Sequence, residues 1–205
     1  MSKHGSDTIT GFRARFYSKI MSVCGAERVY RQALSLLKPR AHERLLDVGC
    51  GTGTFLKLLR ANSSIPLALT GVDASDDMLH EARKNAGDIS FQYADASSLP
   101  FRDKTFNAVV SILALHHMPC EVKKKAIGEI ARVLKKDGRV VILDLFRPNT
   151  RLGGFFSFWF NLHSYTKGNW EFTIGEIEQN GFIAVKEGTV RGFVGYLVAE
   201  YPQGG

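Results

Sequence analysis

Cysteine is scarce in this 205-residue chain and placed badly for pairing. Cys24, Cys50 and Cys120 are odd in number and irregularly spaced, which argues against a disulfide framework or a zinc site. Such thiols suit a reducing compartment, so a cytoplasmic protein is expected. No uncharged apolar run approaches the ~18 residues that span a bilayer. The opening stretch "MSKHGSDTIT" lacks the apolar segment of a secretory signal. No repeat, linker or second-domain boundary is evident, so one domain over 1–205 is expected. Net charge is also missing from most of the chain. Residues 61–205 hold 16 Lys/Arg and 16 Asp/Glu, whereas residues 1–60 hold 11 and 4. The formal +7 therefore sits at the N-terminal end, as a solvated basic face or as an attractor of anions.

What is present is alternation of strands and helices. Residues 8–38 read as a helix interrupted near Gly25, with Ile9, Phe12, Phe16, Ile20 and Val23 on one face and Pro39 at its end. "RLLDV" reads as a strand, and Thr54 to Ala61 as a helix. "LALTGVD" is a strand ending at Asp73; "SDDMLHEARKNA" is a helix with Ser75 as its cap. "ISFQYAD" is a strand ending at Asp95, and "FNAVVSILAL" one buried on both faces. "EVKKKAIGEIARVLKK" is an amphipathic helix, Asp137-Gly138 a turn, and "RVVILDL" a fifth strand. This order implies a parallel sheet with right-handed crossovers. In the tail, "TIGEIEQNG" reads as a helix opened by a capping box from Thr173 to Glu176 and stopped at Gly181. "FIAVKEGTV" and "FVGYLVAEY" read as two strands joined too tightly to be parallel.

"RLLDVGCGTGTF" carries the first chemical signal. A glycine-rich turn between strand and helix lets backbone approach a ligand, at the sheet edge where ligands bind. The spacing Gly49-x-Gly51-x-Gly53 puts Thr54 where a dinucleotide pattern has its last glycine. Pyrophosphate wants the bare positive end of a helix, and Asp47 would repel it. A cationic ligand without phosphate suits the turn better.

"LLDVGCGTG" resembles the first motif of class I S-adenosylmethionine (SAM)-dependent methyltransferases, and "GVDAS", "YADASSLPF", "FNAVVSILALHHM" and "EIARVLKKDGRVVILDL" resemble the four that follow. The subgroup resembled is the UbiE-like, methyltransferase type 11 family, over about residues 42–146. "KKDG" departs from the proline and two glycines usual at its turn. The resemblance implies a Rossmann-like α/β fold. Its sheet has seven mostly parallel strands in the order 3-2-1-4-5-7-6, with strand 7 antiparallel and helices on both faces. It further implies a cofactor core over 42–146, a basic helical lid over 1–40, and an acceptor-site segment, last helix and hairpin over 147–205. The cofactor implied is SAM. Asp47, Gly49, Cys50, Gly51 and Gly53 would form its loop, and Asp73 would take the ribose hydroxyls. Ala74, Met78, Asp95, Ala96 and Leu113 would flank the adenosine, with Tyr17 turned in from the lid. Any one strand-end Asp can equally cap a turn.

Methyl transfer from a sulfonium needs mainly orientation and desolvation, and a base only where the acceptor must lose a proton. His116 and His117 directly follow the fourth strand. Imidazole is the side chain that titrates near neutrality, so either is a candidate base, with His117 preferred; local packing is the competing role. Asp144 is a second candidate. No third ligand accompanies the histidines, so no metal is expected. The aromatic run Phe155, Phe156, Phe158, Trp159 and Phe160 reads as the lining of a greasy acceptor pocket, with His163 and Tyr165 as its polar groups, or as core. The expected acceptor is a small lipophilic molecule, a quinone precursor or a phospholipid amine. The basic N-terminal helix is expected to serve as a lid, and also to touch an anionic membrane peripherally. Other readings are an RNA or protein methyltransferase, and a SAM-binding protein without turnover. Against the first, "SILA" stands where an amide-activating "NPPY" type motif would be, and no nucleic acid is expected.

Overall fold

A computed structural model describes residues 26–145, 168–190 and 194–202. Seven strands form one sheet: β1 Arg44–Val48, β2 Ala68–Asp73, β3 Ser90–Tyr93, β4 Phe106–Ile112, β5 Leu134–Leu145, β6 Ile183–Val190 and β7 Val194–Glu200. Their order is β3-β2-β1-β4-β5-β7-β6, as the resemblance implied. β1 pairs in parallel with β2 and β4, β2 with β3, and β4 with β5. β7 runs antiparallel to both β5 and β6. The helices are α1 Ala26–Leu37, α2 Thr54–Ala61, α3 Asp76–Arg83, α4 Cys120–Val133 and α5 Asn169–Gln179.

Alternation along β1 divides the core. Leu45 faces a cluster with Val29, Leu37, Phe55, Leu56 and Leu79 from α1, α2 and α3. Leu46 and Val48 face Ala126, Ile127 and Ile130 of α4 and Ile177 of α5. Helices thus cover both faces, which is why β4 and the Val140–Leu143 stretch of β5 are mostly apolar. The chain leaves β1 towards β2 and β3, then returns to lay β4 on the other side of β1. The loops after β1 and β4 therefore diverge at the carboxyl edge, and a cleft opens between them.

Several boundaries differ from expectation. α5 starts at Asn169, four residues before Thr173, so the expected capping box is absent. Thr173 lies inside the helix, fully buried, and its hydroxyl donates to Asn169 O at 2.8 Å. A threonine can bond back to the preceding turn as readily as cap a new one. The expected stop is there: Gly181 has φ 85°, and Gly181 N and Phe182 N donate to Glu178 O and Ile177 O, a Schellman closure. β3 ends at Tyr93, two residues short of Asp95. β5 begins at Leu134, within the expected helix, because Phe106 pairs with Leu134 and Ala108 with Arg139. Lys135 to Gly138 bulge out between these pairs. A Cβ on Gly138 would stand 2.9 Å from Asn107 O, so the bulge keeps glycine although it departs from the family's turn. Residues 8–25 of the expected first helix, with Tyr17, and the aromatic run at 155–160, with His163 and Tyr165, lie outside the described residues.

Candidate functional site

The turn after β1 is built from left-handed glycines. Gly49, Gly51 and Gly53 have φ of 77°, 53° and 71°, a region that penalises any Cβ. A Cβ on Gly49 would collide with Ala114 of the loop after β4, and one on Gly53 with the Phe91 ring. A Cβ on Gly51 would meet nothing within 4 Å. Two of the glycines thus let backbone and core close up, while Gly51 borders open space.

Four N–H groups of this turn are already spent. Gly49 and Cys50 both donate to Val72 O at 2.9 Å, and Gly53 donates to Cys50 O. Gly51 N donates to Asp73 Oδ2 at 2.8 Å, and Ser75 N to Asp73 Oδ1 at 2.9 Å. A phosphate cradle needs such donors pointing at the ligand. Here they point into the protein, and carboxylates take their place at the surface of the loop.

The cleft between the diverging loops is open to solvent. Asp47, Gly49, Cys50 and Gly51 form its floor, together with Thr52. Tyr30, Phe55, Ile112 and Leu113 form its walls. Asp47 is 2% exposed, and its Oδ1 has no hydrogen-bond partner. Burial, with the nearby Asp73 carboxylate, pushes its pKa up to about 8. Burial also raises Asp73, against the N–H bonds that lower it. Cys50 is raised well above the usual thiol range, chiefly by burial, so it is inert as a nucleophile.

Of the residues expected around the cofactor, Asp47, Gly49, Cys50, Gly51 and Leu113 share the cleft, and Asp73 joins it through Gly51. Leu113 has φ 54°, unusual for leucine, and is held there by its N–H bond to Leu143 O. Gly53 and Ala74 adjoin the cleft without lining it. Met78 is buried in α3, its N–H closing the cap to Ser75 Oγ. Asp95 is exposed, and its Oδ1 accepts from Ser97 N and Oγ, an Asx turn that also buries Ala96. Sequence reasoning missed Tyr30, Thr52, Phe55 and Ile112. Tyr30 was within reach of it, standing four residues after Ala26 and three before Ala33 on the buried face of α1.

Beside the cleft, a 3₁₀ turn, Leu115–His117, carries the histidine pair. His116 is buried, and its Nδ1 lies 2.5 Å from Asp144 Oδ1 at the end of β5. Asp144 also accepts from Leu145 N at 2.7 Å, and its other oxygen is buried without a partner. His117 is exposed, with its ring centroid 3.9 Å from that of His116. A buried carboxylate thus orients one imidazole, which the other covers. No group of three metal-ligating side chains occurs among the described residues.

The donor set fits SAM: the unpartnered Asp47 oxygen offers a carboxylate to a cation, and four loop N–H groups that a diphosphate would need are committed within the protein. A family model described as "Methyltransferase domain" matches residues 45–138. Demethylmenaquinone methyltransferase of Thermotoga maritima is 37% identical over 119 residues, 57% of this chain and 51% of that protein. The chain spans about half the length of the curated relatives it matches. The PH0226 protein of Pyrococcus horikoshii has the same fold, with a TM-score of 0.71 at 21% identity over 88% of this chain and 91% of its own. So does phosphoethanolamine N-methyltransferase 2 of Haemonchus contortus, solved with SAM, with a TM-score of 0.69 at 20% identity over 84% of this chain and 53% of that one.

Proposed function

We propose that the chain is a class I SAM-dependent methyltransferase and that it methylates a small lipophilic acceptor of the quinone-precursor type, a reading supported by the methyltransferase-domain model over residues 45–138 and by the demethylmenaquinone methyltransferase relative. One observation carries the cofactor half of this reading. Four loop N–H groups turn inward while Asp47 and Asp73 supply carboxylates, so the cleft favours positive charge and refuses phosphate.

When bound, SAM supplies an activated methyl that leaves its sulfonium as the acceptor's new bond forms. The chain's own residues do the rest. Asp47 meets a cationic end, Asp73 accepts from the ribose hydroxyls, and Met78, Asp95 and Ala96 flank the adenosine edge. Leu113 and Ile112 give an apolar wall that keeps water from the transfer line. Asp144 orients His116, and His116 takes the acceptor's proton through Nε2. His117, tilted against it and exposed, is the imidazole that the acceptor meets first. The Thermotoga maritima relative acts, by its name, on demethylmenaquinone, and a phenol or enol-type acceptor is one that needs such a base. A phosphorylated amine would call for Arg or Lys, and neither lines the cleft among the described residues.

Incubating the protein with methyl-labelled SAM and a cell extract should place label in an apolar, quinone-like product. His116→Gln should cut that transfer at least ~100-fold, with binding of the demethylated cofactor product unchanged. Label in the wild type that His116→Gln does not reduce removes the base. A wild-type protein that binds NAD, and neither SAM nor its product, removes the reading. We assign a further role to the basic N-terminal segment, residues 1–40: contact with the anionic membrane that holds the acceptor. In flotation assays the protein should rise with vesicles containing anionic lipid and stay down with neutral ones; equal behaviour removes this part.

A further inference from the structure

Lys123 is a buried charge that the mechanism above leaves unused. It sits in the first turn of α4, just after the 3₁₀ turn that carries His116, and heads a stripe continued by Ala126, Ile127 and Ile130 that packs on the sheet. It is 2% exposed, and a buried ammonium is costly unless a counter-charge meets it. That counter-charge comes from β5. Val140 and Ile142 face the α4 side, Val141 and Leu143 the opposite layer, and the same alternation turns Asp144 towards α4. From α5, the Phe172 ring faces the ammonium, 5.8 Å from its centre. Burial lowers the Lys123 pKa, against the pull of Asp144 and then of Cys120. Of the other charged or titratable groups there, Glu176 on α5 pairs with Lys124 at 3.9 Å, and His117 covers His116 from outside. Asp144 is therefore shared. Its Oδ1 meets His116 Nδ1 and Leu145 N, while its buried Oδ2 has no hydrogen-bond partner and answers Lys123 through charge alone.

Resting on His116 as the base, we propose that Lys123 is a positioning residue whose buried ammonium acts through Asp144, balancing the carboxylate so that it orients His116 without holding a proton on it. An unopposed buried carboxylate favours the imidazolium, and an imidazolium cannot take the acceptor's proton. A cation on the far side of the carboxylate weakens that preference while the Nδ1 bond still fixes the ring. The buried face of α4 thereby takes part in the chemistry without touching the acceptor.

The test follows label transfer by the full chain from methyl-labelled SAM to cell extract, between about pH 5.5 and 9, the range in which an imidazole titrates. SAM is kept saturating, so that the proton on Asp47 does not enter. The wild type should show an acid limb on which transfer rises with pH, and His116→Gln should lose it. Lys123→Met keeps the length of the side chain and removes its charge, and matching far-UV spectra verify the fold. Its limb should move to higher pH by at least ~0.5 unit, so that transfer falls roughly threefold or more on the limb and returns to the wild-type level at the plateau. Lys123→Gln, a second charge-free variant with a polar end, should move the limb the same way. In an Asp144→Asn background, adding Lys123→Met should move nothing. A limb that stays in place, or a loss at the plateau alone, makes Lys123 a structural residue and overturns the proposal, as does a shift that persists without the Asp144 carboxylate. A wild type without an acid limb, or a limb that His116→Gln leaves unchanged, removes the base itself, and the proposal falls with it. If only the Lys123 variants are silent, the base stands and the proposal alone fails.

Discussion

Asp47 shows how far a single side chain can set the behaviour of a site. It is a carboxyl on a buried strand end, with no donor for Oδ1 and a second carboxylate nearby. Its pKa of about 8 means that the ligand-free protein holds a proton there at neutral pH. A bound cation favours the carboxylate and lowers that pKa, so cofactor binding should release a proton. Affinity should therefore rise between about pH 5.5 and 7.5, where the ligand's amine is still charged. Calorimetry in buffers of different ionisation enthalpy should show release approaching one proton per site; uptake, or none, would mean that Asp47 does not face the cation. The same shift has a sign for stability. The native state binds this proton more tightly than the unfolded chain does, so this contribution to stability falls as pH climbs from about 4 to 8. Asp47→Asn should remove that slope, read from denaturation midpoints across the range.

At the scale of elements, the glycine turn and the loop after β4 make the cleft together, and their glycines do unlike work. Gly53 caps α2 with φ 71°, and a side chain there would enter the Phe91 ring and stand 3.3 Å from Ala82 Cβ. Gly53→Ala should cost at least ~2 kcal/mol, from left-handed strain plus overpacking, measured by urea unfolding. Gly51→Ala should cost only ~1 kcal/mol of stability and instead weaken cofactor binding, because its Cβ would stand in the space the ligand needs. Equal destabilisation by the two would mean that Gly51 is not open to the ligand. The same scale explains the misread helix start. Thr173-x-x-Glu176 has the spacing of a capping box, yet the helix begins a turn earlier, because α5 packs its Thr173 and Ile177 face against the sheet. Packing of an apolar stripe outweighs a cap whose contribution is about 1 kcal/mol.

Across the whole molecule, one buried ion pair ties the first helix to the middle of the sheet. Arg139 on β5 donates to both Glu43 oxygens, at 2.9 and 2.8 Å, and to the carbonyls of Leu37 and Lys38 where α1 ends. Burial raises the Glu43 carboxyl, but the Arg139 and Arg40 hydrogen bonds win and hold it below its ordinary value. That stabilisation is present above the usual carboxylate range and is lost as pH falls through it. Glu43→Ala should leave Arg139 charged and unpaired, destabilise the protein by ~3 kcal/mol and shrink the acid limb of its pH–stability curve. A change within experimental error would show that α1 is not anchored through this pair. Because α1 also carries Tyr30, loosening this anchor should weaken cofactor binding along with the fold.

The alternation of strands and helices, the glycine turn and the placing of Asp47 and Asp73 at strand ends were legible in the residues, because apolar strands and amphipathic helices repeat locally and motif spacing needs no long-range information; the strand order came from the family resemblance those motifs carry. Ser75 and Gly181 were equally readable, since caps are local chemistry. What the tertiary structure alone decided was which side chains meet across the fold. Asp144 lies 28 positions from His116, and Arg139 lies 96 from Glu43; no local pattern encodes either meeting. The loop N–H groups likewise turned inward only because β2 offers Val72 O and Asp73 beside them. Pairs of this kind come from sheet register and from layer packing, which bring distant positions to the same edge.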